Sequence, residues 1–151
     1  MLTCDQNNAF SCTDVSPLSA RALESFSMCV VNEKFVYVTG GSYADDETLA
    51  NCHRYDIVRN QWQEMKQMRQ ARMRHSSCQL AGHIYVFCGM IELGNMVNSV
   101  EKLSIEADPN LQVSKGWEQI AEANLTALPG LSMHMSVALN DFEIVMLGGY
   151  G

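Results

Sequence analysis

The chain has 151 residues, of which 47% are apolar and 18% are charged, and this composition excludes a disordered protein. Its 10 Lys and Arg residues against 17 Asp and Glu residues leave a net charge of −7, which argues against a nucleic-acid-binding surface. No apolar run approaches the roughly 20 residues of a membrane-spanning helix, and residues 1–8 show no secretory signal. We therefore expect a folded, cytoplasmic protein without membrane contact.

The predicted N-terminal tail, residues 1–25, carries a spacing that recurs later in the chain. Two sets of side chains share it: Cys12, Val15 and Leu18 in the tail, and Trp62, Met65 and Met68 further on. The second set begins in the last predicted strand of a repeat. The tail is therefore interpreted as the last strand of a preceding repeat.

The first repeat, residues 26–74, predicts four short strands, named a to d in chain order. Two apolar runs flank the polar pair Asn32 and Glu33, which is typical of a β-hairpin. The second run ends in Gly40 and Gly41. Strands a to d are expected at residues 27–31, 35–39, 51–56 and 61–64.

The second repeat, residues 75–130, has the same pattern 48 residues later, with strands expected at 76–80, 83–88, 99–103 and 117–121. Turn-forming residues at 108–110 predict an insertion in the connection between strands c and d. The third repeat, residues 131–151, shows only strands a and b. They are expected to flank a turn at Asn140 and Asp141, and Gly148 and Gly149 follow strand b.

The first repeat carries a recognisable signature. It consists of a hydrophobic run ending in Gly40 and Gly41, then Tyr55, then Trp62, followed by an Arg-x-x-His-Ser sequence at 72–76. With its period near the ~50 residues of a kelch blade, the chain resembles the kelch-repeat family of β-propellers. The second repeat departs from the pattern at Cys88 and Leu103. The resemblance implies an all-β fold of four-stranded antiparallel blades in an incomplete propeller.

Several signature residues have a structural interpretation. Paired glycines permit positive φ and close backbone approach, and large aromatic side chains suit packing between sheets. This interpretation covers eight residues: Gly40, Gly41, Tyr55, Trp62, Gly89, Trp117, Gly148 and Gly149.

The candidate partner-binding residues lie in two connections that leave the same side of a blade, because strands alternate in direction. The d–a connection holds four basic residues, and the b–c connection of the first repeat holds acidic ones. These residues are Lys66, Arg69, Arg72 and Arg74, and Asp45 and Asp46. The family resemblance implies that this face binds partner peptides, and an arginine cluster suits an acidic or phosphorylated segment. In the alternative, Arg72 bonds loop carbonyls or pairs with acidic residues at 45–47.

The sequence predicts no metal site, cofactor or catalytic centre. The six cysteines form no C-x-x-C pair, so we expect reduced thiols. His75 and His134 occupy equivalent places before strand a, which favours a scaffold role over catalysis.

The predicted function is a non-catalytic protein-interaction module, a scaffold or adaptor whose loops contact a partner protein. Further blades or other chains are expected to close the propeller. One alternative is the substrate-recognition part of a BTB-kelch adaptor of a cullin ubiquitin ligase. A less favoured one is a fragment of a propeller enzyme that resembles galactose oxidase.

Overall fold

A computed structural model describes residues 2–4, 6–7, 9–19, 21–44, 47–105, 116–120 and 130–151. Every regular element in these ranges is a β-strand, and sixteen strands, β1 to β16, follow one another along the chain. All the strand pairs are antiparallel. The all-β prediction is therefore confirmed.

The first four-stranded sheet, named blade 1, has its strands in chain order from one edge to the other. They are β4 (Ser27–Val31), β5 (Phe35–Thr39), β7 (Cys52–Asp56) and β8 (Gln61–Glu64). The β4–β5 turn has φ of 52° at Asn32 and 56° at Glu33. Positive φ at both central residues defines the type I′ turn, whose twist matches that of the flanking strands.

The second four-stranded sheet, named blade 2, repeats this order. Its strands are β9 (Ser76–Leu80), β10 (His83–Phe87), β13 (Val100–Ser104) and β14 (Trp117–Ile120). Each observed strand lies within one residue of its predicted bounds. The predicted insertion at 108–110 and the predicted strand end at residue 121 lie outside the described residues.

Four two-stranded sheets complete the described structure. They are the N-terminal hairpin of β1 (Leu2–Cys4) and β2 (Phe10–Cys12), the pair of β3 (Leu23–Glu24) and β6 (Ser42–Tyr43), the pair of β11 (Met90–Glu92) and β12 (Asn95–Met96), and the C-terminal hairpin of β15 (Ser132–Ala138) and β16 (Ile144–Tyr150).

The C-terminal hairpin differs from the predicted third repeat. Its first strand starts at Ser132, well before the apolar run at 137–139. Its strands are joined by residues 139–143, closed by a bond from the Leu139 N–H to the Glu143 carbonyl (2.9 Å), and not by a two-residue turn. The alternation of polar and apolar side chains in β15, such as His134 and Met135, concealed the strand's start.

The buried core lies between the sheets. In one cluster, blade 1 contributes Cys29, Val31, Tyr37 and Cys52, blade 2 contributes Ile84, Val86, Leu103 and Trp117, and Met68 comes from the connection between the two blades. A second cluster joins blade 2 to the C-terminal hairpin through Cys78, Phe87, Cys88 and Val100, with Leu131, Ile144 and Met146 packed against them. Burying each large side chain contributes about 1.5–3 kcal/mol, so the two seams between sheets stabilise the stack.

Candidate partner-binding face

The d–a connection of blade 1, residues 65–75, leads into blade 2 and carries the four basic residues predicted to bind a partner. Lys66 and Arg69 are exposed, Arg74 is half-buried, and Arg72 is fully buried with 0% of its surface accessible. The four side chains therefore do not form one basic patch.

Arg72 is enclosed by blade 2. Its Nη1 donates to the carbonyls of Cys88 (2.8 Å) and Ser99 (3.1 Å), and its Nη2 donates to Ser99 Oγ (3.1 Å) and to Glu101 Oε1 (2.7 Å). Burial lowers the pKa of Arg72, and the Glu101 carboxylate raises it. Arg72 is a structural residue in this structure. Its carboxylate partner is Glu101 and not Glu47, which pairs with Arg21 (3.5 Å). A direct contact between Arg72 and a partner is excluded by this burial.

Glu101 also fixes the backbone of the d–a connection. Its Oε2 accepts the Arg69 N–H (2.7 Å), and its Oε1 accepts the Gln70 N–H (3.0 Å). A buried carboxylate that accepts charge-assisted and backbone hydrogen bonds holds all three donors in place. One side chain of blade 2 therefore sets the path of the loop that presents Arg69. Glu101 is not predictable as a site residue from the sequence, because a glutamate on a strand is normally exposed.

Arg69 points its side chain to a cleft of about 470 Å³ between the d–a connection and blade 2. Among the described residues, no hydrogen bond or ion pair of its guanidinium is found. The cleft combines polar and apolar groups, and its lining includes Gln70, Asn98, Ser99 and Gln119 together with Ile91 and Met96. Ile91 is also where the two blades' loops meet, because Thr48 Oγ1 donates to its carbonyl. A guanidinium beside amide and hydroxyl groups can bind a carboxylate or phosphate.

The remaining candidates occupy other places. The Lys66 carbonyl accepts a hydrogen bond from Trp117 Nε1 (2.9 Å). Arg74 has φ of 54°; its N–H donates to the carbonyl of Ser25, which precedes β4, and its carbonyl accepts the N–H of Met133 in β15 (2.8 Å each). The predicted sites at Asp45 and Asp46 lie outside the described residues.

The glycine pairs lie where one sheet approaches the next. Gly41 has φ of 98°, and its N–H donates to the Arg72 carbonyl (2.9 Å). A Cβ on Gly41 would lie 2.6 Å from the Glu24 carbonyl oxygen, and one on Gly89 would lie 2.7 Å from the Met73 carbonyl oxygen. Gly40, Gly148 and Gly149 also have positive φ (55°, 70° and 104°). Cys88, at the position of Gly40, adopts φ of 51° despite its side chain.

The aromatic signature residues tie each blade to the preceding strand-d segment. Trp62 packs on Tyr55 with 4.9 Å between ring centroids, and its Nε1 donates to the Ser16 carbonyl (2.7 Å). Trp117 makes the same bond to the Lys66 carbonyl. The matching bonds place Ser16 at the position of Lys66, so the tail lies against blade 1 as the end of blade 1 lies against blade 2.

The two equivalent histidines are both buried, each with 5% of its surface exposed. Burial, with a smaller contribution from Arg72, lowers the pKa of His75 to about 3, and burial lowers the pKa of His134. His75 Nε2 contacts Thr39 Oγ1 (2.9 Å), whereas neither ring nitrogen of His134 has a hydrogen-bond partner among the described residues. Phe87 occupies the position in blade 2 that Thr39 has in blade 1, which explains the difference.

Four cysteines behave as small core residues, since Cys29, Cys52, Cys78 and Cys88 are buried. Burial raises the pKa of Cys29 and of Cys52 to about 12, so both thiols remain protonated at neutral pH. Within the described ranges, no group of three or more His, Cys, Asp or Glu side chains could hold a metal ion. The same part of the chain contains no helix long and apolar enough to cross a membrane.

The fold defines a class: a partial β-propeller built from four-stranded antiparallel blades. Comparison with known families matches residues 24–69, which span blade 1, to the Kelch motif. This match, the repeated sheet in blade 2 and the relatives described next support membership of the kelch-repeat family.

Three curated relatives carry kelch names. The chain is 48% identical over 52 residues to Kelch-like protein 21 of Danio rerio (34% of this chain, 8% of the relative). It is 32% identical over 76 residues to Kelch-like protein 26 of Mus musculus (48% and 12%). It is 26% identical over 122 residues to Kelch repeat and BTB domain-containing protein 1 of Ectromelia virus (strain Moscow) (80% and 19%). The chain spans less than a fifth of the length of these relatives.

Proposed function

We propose that the chain is a non-catalytic protein-interaction module that binds an acidic segment of a partner protein at the cleft beside Arg69. The observation that supports this most strongly is a contrast within one residue: the Arg69 backbone is fixed by the buried Glu101, and its guanidinium is exposed. Kelch repeats and the kelch names of the relatives support an interaction module in general.

The chemistry of the cleft favours a short acidic peptide. A guanidinium forms paired, charge-assisted hydrogen bonds with a carboxylate or phosphate, and neighbouring amides can bond the peptide backbone. Because Glu101 already fixes the loop backbone, less conformational entropy is lost when a ligand binds. Lys66 is the second exposed cation of the connection, and Asp45 and Asp46 stay in the proposal as predicted contacts of the same face.

Fluorescence anisotropy with a labelled hexaglutamate peptide tests the proposal. Losing one hydrogen bond to a charged group costs about 1.5–3 kcal/mol, so Arg69→Ala should weaken binding roughly tenfold or more. Arg59→Ala is the matched control, because Arg59 is an exposed arginine in the c–d turn, which leaves the opposite side of the blade. Equal affinity of the two variants would contradict the proposal. A phosphoserine peptide in parallel distinguishes phosphate from carboxylate recognition.

A second candidate is the substrate-recognition part of a BTB-kelch adaptor of a cullin ubiquitin ligase. The name of the Ectromelia virus relative, which includes a BTB domain, favours it. Sequencing the complete transcript tests this candidate: an encoded BTB domain would support it, and a transcript without one would contradict it. A cytoplasmic location also stays a prediction, which imaging of a tagged chain would check.

A further inference from the structure

The space between blade 2 and the d–a connection is filled by the buried side chain of Arg72. Its guanidinium donates to the carbonyls of Cys88 and Ser99, to Ser99 Oγ and to the Glu101 carboxylate. Cys88 and Glu101 are at most 1% exposed, and neither lines the cleft beside Arg69. Because the blades repeat, the equivalent place in blade 1 shows what the sheet offers to a guanidinium from elsewhere.

Leu23 stands at the repeat position of Arg72. The Arg74 N–H donates to the Ser25 carbonyl, and the Arg74 carbonyl accepts the Met133 N–H, so one kind of bond joins successive repeats. Ser25 and Arg74 also share a φ of 54°. Counting back two residues from each of them pairs Leu23 with Arg72. The leucine side chain has no donor for the acceptors of blade 1.

The backbone acceptors are the same in both blades. The Gly40 N–H donates to the Asn51 carbonyl (2.8 Å), as the Cys88 N–H donates to the Ser99 carbonyl (3.0 Å). Gly40 and Cys88 also adopt nearly the same φ, 55° and 51°. The carbonyls of Gly40 and Asn51 therefore stand where blade 2 has the two carbonyls that bind Arg72.

His53 takes the place of Glu101. Val38 lies opposite His53 in blade 1, and Val86 lies opposite Glu101 in blade 2. Burial lowers the pKa of His53, and the carboxylate of Glu64, which lies opposite it on β8, raises that pKa. A neutral imidazole offers one acceptor nitrogen and carries no charge that would repel a cation.

A cavity of about 180 Å³ lies at this place in blade 1. Its lining includes Leu23, Gly40, Tyr43, Asn51 and His53. A single water molecule requires roughly 10–15 Å³ of such volume, so the cavity has room for a group of side-chain size. The residues that Arg72 covers in blade 2 therefore have counterparts in blade 1 that face an accessible space.

The charge around the cavity suits a cation. The chain has a net charge of −7, and Glu64 lies opposite His53. Arg21 is engaged beside the cavity, where its Cζ lies 3.8 Å from the centre of the Tyr43 ring and its Nη1 lies 3.5 Å from Glu47 Oε2. The positive charge of Arg21 is therefore compensated by a carboxylate of the same loop.

We propose that the blade 1 cavity binds a guanidinium group of a ligand, in the place that Arg72 fills in blade 2. The carbonyls of Gly40 and Asn51 accept its N–H groups, the imidazole of His53 accepts a further one, and the alkyl stem packs against the apolar part of the lining. The ligand is an arginine side chain of a partner protein or a small guanidino compound, since both carry this group. The cavity is separate from the acidic-peptide site at Arg69.

An amide NMR titration with acetyl-Gly-Arg-Gly-amide tests the proposal. The wild type should bind this arginine peptide saturably with a Kd of about 1 mM, because one side chain supplies the contacts. The shifted amides should cluster at Leu23, Leu49, Asn51 and His53. The matching citrulline peptide has nearly the same shape without the charge and should bind at least tenfold more weakly. Ethylguanidinium, titrated in parallel, represents the small guanidino compounds.

Two substitutions make the cavity resemble its counterpart in blade 2. His53→Glu supplies the carboxylate and should tighten binding of the arginine peptide about tenfold or more, since one hydrogen bond to a charged group is gained. His83→Glu, at the start of β10 and outside the cavity, is the matched control and should leave the affinity unchanged. Leu23→Arg places a guanidinium of the chain itself in the cavity and should weaken binding at least tenfold. It replaces His53→Glu if that variant does not fold.

Each result has a defined meaning. The proposal is overturned if neither guanidino probe binds saturably, if the arginine and citrulline peptides bind equally, or if His53→Glu and Leu23→Arg both leave the affinity unchanged. Binding of the arginine peptide supports a protein arginine as the ligand, and binding of ethylguanidinium alone supports a small compound. Leu23→Arg should leave hexaglutamate binding unchanged, and Arg69→Ala should leave binding of the arginine peptide unchanged, so the two proposed sites succeed or fail separately.

Discussion

The two seams between sheets share a backbone scheme and differ in their side chains. Gly41 donates to the Arg72 carbonyl across the first seam, and Gly89 donates to the Leu131 carbonyl across the second. Arg72 and Leu131 therefore occupy one position of the repeat. The first seam buries an ion pair there, while the second has a half-buried leucine packed against an apolar cluster. The backbone hydrogen bonds at the glycines are therefore common to both seams, whereas the side chains at this repeat position differ between them.

Replacing Arg72 with leucine, the residue at the same repeat position in the second seam, should have the largest effect on the free energy of unfolding. Arg72→Leu leaves the Glu101 carboxylate buried without its ion-pair partner, and breaking a buried pair in this way costs about 3–5 kcal/mol. Urea unfolding should show this loss, and the double variant with Glu101→Leu should recover part of it. Equal stability of Arg72→Leu and wild type would show that the ion pair is not required for the seam.

A smaller loss of stability is expected when the backbone at Gly41, which both seams share in form, is disturbed. Gly41→Ala introduces a Cβ that lies 2.6 Å from the Glu24 carbonyl oxygen and forces alanine to a φ of 98°. We expect a loss of about 1–3 kcal/mol. Gly94→Ala is the control, because Gly94 has φ of 86° but nothing within 4 Å of its Cβ position. Chemical denaturation of both variants separates backbone strain from steric conflict, and equal losses would contradict a steric role for Gly41.

Acid should weaken the first seam through His75. Its pKa is about 3 in the folded chain and near 6.5 when unfolded, so the unfolded state binds more protons between these values. Stability should therefore fall as the pH drops below about 6.5, by at most about 1.4 kcal/mol per pH unit for this group. His75→Gln should flatten the part of the profile that His75 contributes, and the lowered pKa of His134 should leave a residual slope. An unchanged profile in thermal melts would show that His75 is not the titrating group.

The smallest effect on stability is expected at the exposed arginine. Arg69→Ala should change the free energy of unfolding by less than about 0.5 kcal/mol, because its side chain is exposed and the Glu101 bond is made by its backbone. Thermal melts beside Arg59→Ala would check this. A clearly lower melting temperature than that of Arg59→Ala would identify Arg69 as a second structural arginine.

The blade strands were predictable because alternating apolar residues and turn-forming pairs mark them locally. The pair at 81–82 shows this well, since Ala81 and Gly82 both adopt positive φ as a type I′ turn requires. The site was only partly predictable. Arg72 is buried against Glu101, 29 residues away in blade 2, and no local pattern indicates that a strand glutamate will be buried. Partner binding by Arg69, Arg74 and Lys66 stays a prediction.

The most direct test of the proposed peptide site is an amide NMR titration of the isotopically labelled chain with hexaglutamate. Binding of the peptide at the cleft beside Arg69 predicts that the shifted amides cluster at Arg69 and Gln70 and at the cleft residues Val97, Asn98 and Ser99. It also predicts that the turn around Arg59 remains unchanged. Shifts centred on that turn, or no shifts at all under conditions where the folded spectrum is retained, would contradict the claim that the Glu101-anchored loop presents a site for an acidic partner.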